Sequence, residues 1–107
     1  MSKESLVLQV IYMRFRERGG TWPEFDYIDR WLHRYSKLDA EHIIGRIPPT
    51  LLKPLSYLNG RPDPQGKLIL TAEGVKRCLG SNDDTYNLVA AVKLMVQYDT
   101  EYDPQSA

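Results

Sequence analysis

The sequence predicts a mainly α (α+β) fold: a cluster of helices beside a small β-ribbon, with an extra helix at the C-terminal end. Apolar residues recur at helical spacing in successive stretches. Gly or Pro pairs punctuate those stretches. A run dense in turn formers, residues 59–66, separates two short extended candidates. With 107 residues the chain amounts to one domain, and its 42 % hydrophobic content is enough to build a core.

Each element follows from local chemistry. Residues 5–18 read as a first helix, because Val7, Leu8, Ile11 and Phe15 recur at helical spacing and Val10 widens the stripe. Arg14, Arg16 and Arg18 load its last turn, where the helix dipole favours positive charge, and Gly19-Gly20 stops it. Thr21-Trp22-Pro23 is a short extended link, since the residue before a proline avoids helical angles. A second helix spans 23–35, with Phe25, Ile28, Leu32 and Tyr35 on one side and Trp31 next to them. Asp39 is suited to cap a third, short helix over 39–47, whose buried face is Ala40, Ile43, Ile44 and Ile47. Pro48-Pro49 ends it, because neither residue has a backbone donor.

Thr50 to Lys53 allows one more helical turn before Pro54. Leu55–Leu58 and Lys67–Thr71 are expected to pair as a two-stranded ribbon around the loop 59–66, which is too long for a tight turn. Thr71 caps a helix over 72–79, closed by Gly80, with Val75, Cys78 and Leu79 turned inward. After the polar break 81–84, a last helix covers 85–98, with Leu88, Val89, Val92, Met95 and Val96 as its apolar stripe. The domain is therefore expected over residues 1–98, and the acidic residues 99–107 as a flexible tail or linker.

The order helix, extended stub, helix, helix, strand, loop, strand resembles the winged helix-turn-helix superfamily. Leu68-Ile69-Leu70-Thr71-Ala72-Glu73-Gly74 is similar to the leucine-threonine-x-glutamate-glycine junction where many winged-helix domains leave the second wing strand and enter a further helix. The likeness covers residues 5–80. Thr21-Trp22-Pro23 and Tyr27-Ile28-Asp29 also resemble stretches of winged-helix-like modules near the N-termini of larger, poorly characterised bacterial proteins. The resemblance implies a winged-helix-like domain with a two- or three-stranded β-wing, and a use for the extra C-terminal helix in dimerisation. The sequence departs from that family where a DNA groove would be read. Helix 39–47 offers Glu41, His42, Gly45 and Arg46 outward, a thin and mixed set, and the stretch Pro49–Lys53 is mostly proline and leucine.

Charge sharpens the choice of function. Lys+Arg and Asp+Glu both number 14, a net charge of zero, which argues against a strong nucleic-acid binder. The distribution is uneven: residues 37–79 hold seven basic and four acidic side chains, a net +3, while residues 80–107 hold one and five, a net −4. Candidate DNA contacts on the recognition element and wing are Arg46, Thr50, Lys53, Arg61 and Lys67. The competing reading is an ordinary solvated surface beside an acidic tail.

No catalytic, cofactor or metal constellation emerges, and no enzyme is expected. His33 and His42 fall on different helices with no motif around them. Cys78 is the lone cysteine and reads as a small core residue in a reducing, cytoplasmic setting. Glu24, Asp26 and Asp29 are explained by their place near a helix N-terminus. Arg14-Phe15-Arg16 mixes cations with an aromatic, as single-strand binders do, yet Phe15 falls on the core stripe. Gly60 and Gly66 lack a phosphate-cradling pattern. Neither a signal peptide nor a membrane span is expected, and no small-molecule substrate is evident.

Two expectations follow. The first is a non-catalytic protein-interaction or scaffold module, part of a larger protein or assembly. The second is a dimeric regulator that binds double-stranded DNA through its wing and recognition helix. Leu88, Val92, Met95 and Val96 in 85–98 are expected first to pack within the chain, and otherwise to form the homodimer or dock on a neighbouring domain.

Overall fold

The computed structural model describes residues 2–80, and these form four helices and one two-stranded antiparallel sheet. The expected last helix, 85–98, and tail, 99–107, lie outside the described residues.

Helix α1 (Lys3–Glu17) starts at Ser2, whose hydroxyl accepts the Ser5 N–H at 3.1 Å. It ends where Gly19 and Gly20 adopt φ of 68° and 98°, angles that glycine reaches without a Cβ clash. The Gly20 N–H then returns to the Phe15 carbonyl at 2.9 Å. Helix α2 (Phe25–Ser36) ends at Lys37 in the left-handed conformation. Helix α3 (Ala40–Ile44) is capped by Asp39, whose carboxylate accepts the His42 N–H at 3.3 Å. It is shorter than the sequence suggests. Gly45 tightens the chain, Arg46 and Ile47 donate three residues back, and the demand of Pro48 for an extended predecessor does the rest. Ile47 stays buried all the same.

Burial follows the predicted stripes. Val7 and Ile11 of α1, Ile28 and Leu32 of α2, and Ala40 at the start of α3 are fully buried, and α1 packs against α2, α3 and α4. Phe15 departs from the stripe: it is half-buried and stacks on Trp22 with ring centroids 3.9 Å apart. Arg14 lies over the Tyr27 ring at 4.0 Å. Arg14 and Phe15 thus fasten α1 to α2 and to the link that follows, while Arg16 lies over Tyr12 of its own helix.

The extended segments pair differently from the sequence expectation. Strands β1 (Tyr57–Leu58) and β2 (Arg61–Pro62) form the sheet, with Tyr57 opposite Pro62 and Leu58 opposite Arg61. The turn is only Asn59-Gly60, both at positive φ, as a type I′ hairpin requires. Leu55–Leu58 therefore does not pair with Lys67–Thr71, and the loop is a tight hairpin followed by a second turn. An Asn-Gly step closes a hairpin on its own, and that local preference prevails over a longer closure.

Lys67–Thr71 instead runs between two other stretches. On one side the Leu68 N–H donates to the Pro23 carbonyl and the Phe25 N–H to the Gly66 carbonyl, both at 2.8 Å. On the other the Lys53 N–H reaches the Ile69 carbonyl at 2.9 Å and the Thr71 N–H the Leu51 carbonyl at 3.0 Å. Glu24 and Lys67 form one isolated bridge, and Leu52 and Leu70 another. These opposed pairs lack mutual hydrogen bonds, so their side chains come close. Leu52 and Leu70 bury each other, and Lys67 meets Glu24 at 2.9 Å.

Helix α4 (Ala72–Gly80) is held by the threonine and glycine of the junction motif. Thr71 Oγ1 accepts the Gly74 N–H at 3.1 Å and donates its own proton to the Thr50 carbonyl. A Cβ on Gly74 would collide with the Leu51 backbone carbonyl. The buried face of α4 accordingly centres on Gly74 and Cys78, not on Val75 and Leu79: Val75 is half-buried and Leu79 is 62 % exposed. Buried Gln9 of α1 completes the attachment, its Nε2 donating to the Cys78 carbonyl at 3.0 Å.

Gly74→Ala is expected to cost about 1–3 kcal/mol, as overpacking does when the obstacle is backbone. Chemical denaturation should show a lower midpoint with an unchanged slope. An unaltered midpoint would refute the close approach.

Candidate interaction face

The end of α3, the turn after it and the extended strap 52–57 enclose an open groove of about 250 Å³. Ile44, Gly45 and Ile47 line it from α3 and its exit, and Pro54, Leu55 and Tyr57 from the strap. Leu52 and Pro49 also line it, and Lys53 is its single charged lining residue. Local sequence explains the shape. Leu52 is anchored in the core by its pairing with Leu70, so Lys53 and Pro54 emerge next to it. Pro54 holds Lys53 away from helical angles, and the strap from 53 to 56 forms no helix before the hairpin starts. The hairpin then displays two apolar side chains, Tyr57 at 60 % and Leu58 at 58 % exposure.

The predicted DNA-contact residues are only partly brought together here. Arg46 is 63 % exposed just beyond α3, at the outer limit of ion pairing with Glu4, 4.0 Å away. Thr50 is exposed, with its carbonyl engaged by Thr71. Lys53 lies in the groove lining and Arg61 on the exposed arm of the hairpin. Lys67 lies apart from them, paired with Glu24. That hydrogen bond, with the positive charge behind it, holds the Glu24 carboxyl below its ordinary range. From His42 to Pro62 the chain carries three cations, Arg46, Lys53 and Arg61, and no carboxylate. Leu88, Val92, Met95 and Val96, the expected self-association stripe, lie outside the described residues.

The sequence reading missed Leu55, Pro54 and Tyr57 as parts of a surface feature. The signal was present in Pro54 and the Asn59-Gly60 turn, which leave only residues 55–58 between them, too short a stretch to form a helix that buries its apolar side chains.

The other chemically suggestive residues have structural explanations. His33 and His42 are both exposed, on α2 and α3. Cys78 is buried, and burial pushes its thiol up to about 11. Burial, with Asp26 nearby, also raises the Asp29 carboxyl above its ordinary range. Among the described residues no group of three or more metal-binding side chains comes together. Nor is any described helix long and apolar enough to cross a membrane. Comparison with protein-family models, curated proteins and solved structures found no match.

Two measurements check this description. Cys78 should resist a thiol reagent at mildly alkaline pH in the folded protein and react once denaturant is added; rapid labelling of the native state would contradict its burial. Asp29→Asn should raise the melting temperature at neutral pH. A carboxyl with a raised folded-state pKa loses stability as pH climbs through its unfolded-state value, so the advantage should vanish in acid, where both forms are neutral. An advantage independent of pH would show that ionisation is not the cause.

Proposed function

We propose that this chain is a non-catalytic, winged-helix-like protein-interaction module that binds its partner on the face shared by α3, the strap and the hairpin. The supporting observation is the groove itself. Where a DNA-binding winged helix would need a dense positive ridge, this surface offers apolar side chains and an exposed tyrosine with few cations. The winged-helix reading loses the wing expected from pairing Leu55–Leu58 with Lys67–Thr71, and draws instead on the helix order and on the flanking of Lys67–Thr71 by Pro23–Phe25 and Leu51–Lys53. The leucine-threonine-x-glutamate-glycine junction adds to it, since Thr71 and Gly74 have defined physical roles.

A second reading, binding of double-stranded DNA, is favoured by one observation: Arg46, Lys53 and Arg61 are exposed on a stretch without carboxylates. Lys67 contributes less to it, because Glu24 already neutralises that charge.

The two readings separate experimentally. Selection from a random-peptide phage library should yield binders that Tyr57→Ala weakens at least about tenfold, as loss of an interface tyrosine does. Random duplex DNA should show no saturable anisotropy change at low salt. Saturable duplex binding that weakens with salt and with Arg61→Ala, together with no groove-dependent peptide, would replace the interaction reading with the DNA reading.

A further inference from the structure

We propose that the groove selects an acidic segment, one that inserts a single bulky apolar side chain and flanks it with aspartate or glutamate; this rests on the protein-interaction reading. The size sets the anchor. The open hollow of about 250 Å³, walled by Ile44, Ile47, Leu52 and Leu55, has room for one large apolar side chain. The electrostatics set the flanks. Lys53 is the only charged residue in the lining, Arg46 directly follows the lining residue Gly45, and no carboxylate occurs from His42 to Pro62. The lining itself offers a basic partner no carboxylate, whereas an acidic one meets Lys53 beside the apolar hollow; Arg46 contributes less, because Glu4 lies 4.0 Å from it.

The backbone argues against recognition by strand addition. Pro54 has no N–H, the Lys53 N–H is committed to Ile69, and the Ser56 carbonyl accepts from the Asp63 N–H at 2.9 Å. The strap has little free ladder to offer, so side chains must carry the contact.

The test is the composition and charge response of peptides selected from a random phage library against the full chain. Expected are peptides with Leu, Phe or Trp beside Asp or Glu, whose affinity falls roughly three- to tenfold in Arg46→Glu or Lys53→Glu, since rim charges act modestly and are screened by salt. Lys76→Glu, on the exposed side of α4, should leave them unchanged. Because Leu55 is half-buried and Leu55→Asp risks unfolding the strap, exposed Tyr57→Ala serves as the apolar variant, with circular dichroism confirming the fold. Tyr57-dependent peptides that are neutral or basic, and indifferent to charge reversal, would overturn the acidic class while leaving the interaction reading in place. No Tyr57-dependent peptide at all would overturn both. Duplex DNA binding abolished by the same charge reversals would assign the cations to phosphate instead.

Discussion

The contact between α4 and the turn that follows α3 is the constraint on which the other packing depends. At Gly74 the helix approaches the Leu51 carbonyl so closely that a single methyl group would not fit. Thr71 works in both directions at that point, ending the helix's need for a cap and gripping the Thr50 carbonyl. The turn 48–51 is thereby fixed, and Leu52 enters the core opposite Leu70. Everything displayed on the neighbouring surface takes its position from that anchor.

The groove is a consequence of the same geometry. With Leu52 held inward, the next residues have only a short, proline-stiffened path to the hairpin. That path cannot bury Leu55 and Tyr57 fully, and they become walls instead of core. The hairpin adds rigidity, because its two-residue turn admits few alternative registers. A surface held this firmly would lose little conformational freedom on meeting a partner.

Much of the helical part was legible in the sequence, because it is encoded locally. The stripes of Val7–Ile11 and Phe25–Leu32, the Asp39 cap and the Thr71 cap depend on neighbours a few residues away. The pairing of the extended segments was not legible to the same degree. Lys67 meets Glu24 from 43 positions away, and no local pattern announces that partner. The hairpin was misread for the opposite reason: its Asn59-Gly60 signal was strong, but the glycines and prolines after it disguised it as one long loop. Leu79 illustrates a third limit. Apolar periodicity fits two adjacent faces of a short helix, and only the missing side chain of Gly74 decides which one lies down.

The bond from Gln9 to the Cys78 carbonyl joins residues 69 positions apart. During synthesis α1 emerges before α4, so the carbonyl that satisfies its buried amide is made later than the amide itself. Until then water serves the Gln9 amide, and Val7, Leu8, Val10 and Ile11 beside it await their cover. Within the described region this bond ties the first helix to the last, so the buried amide of α1 gains its partner only when α4 has packed.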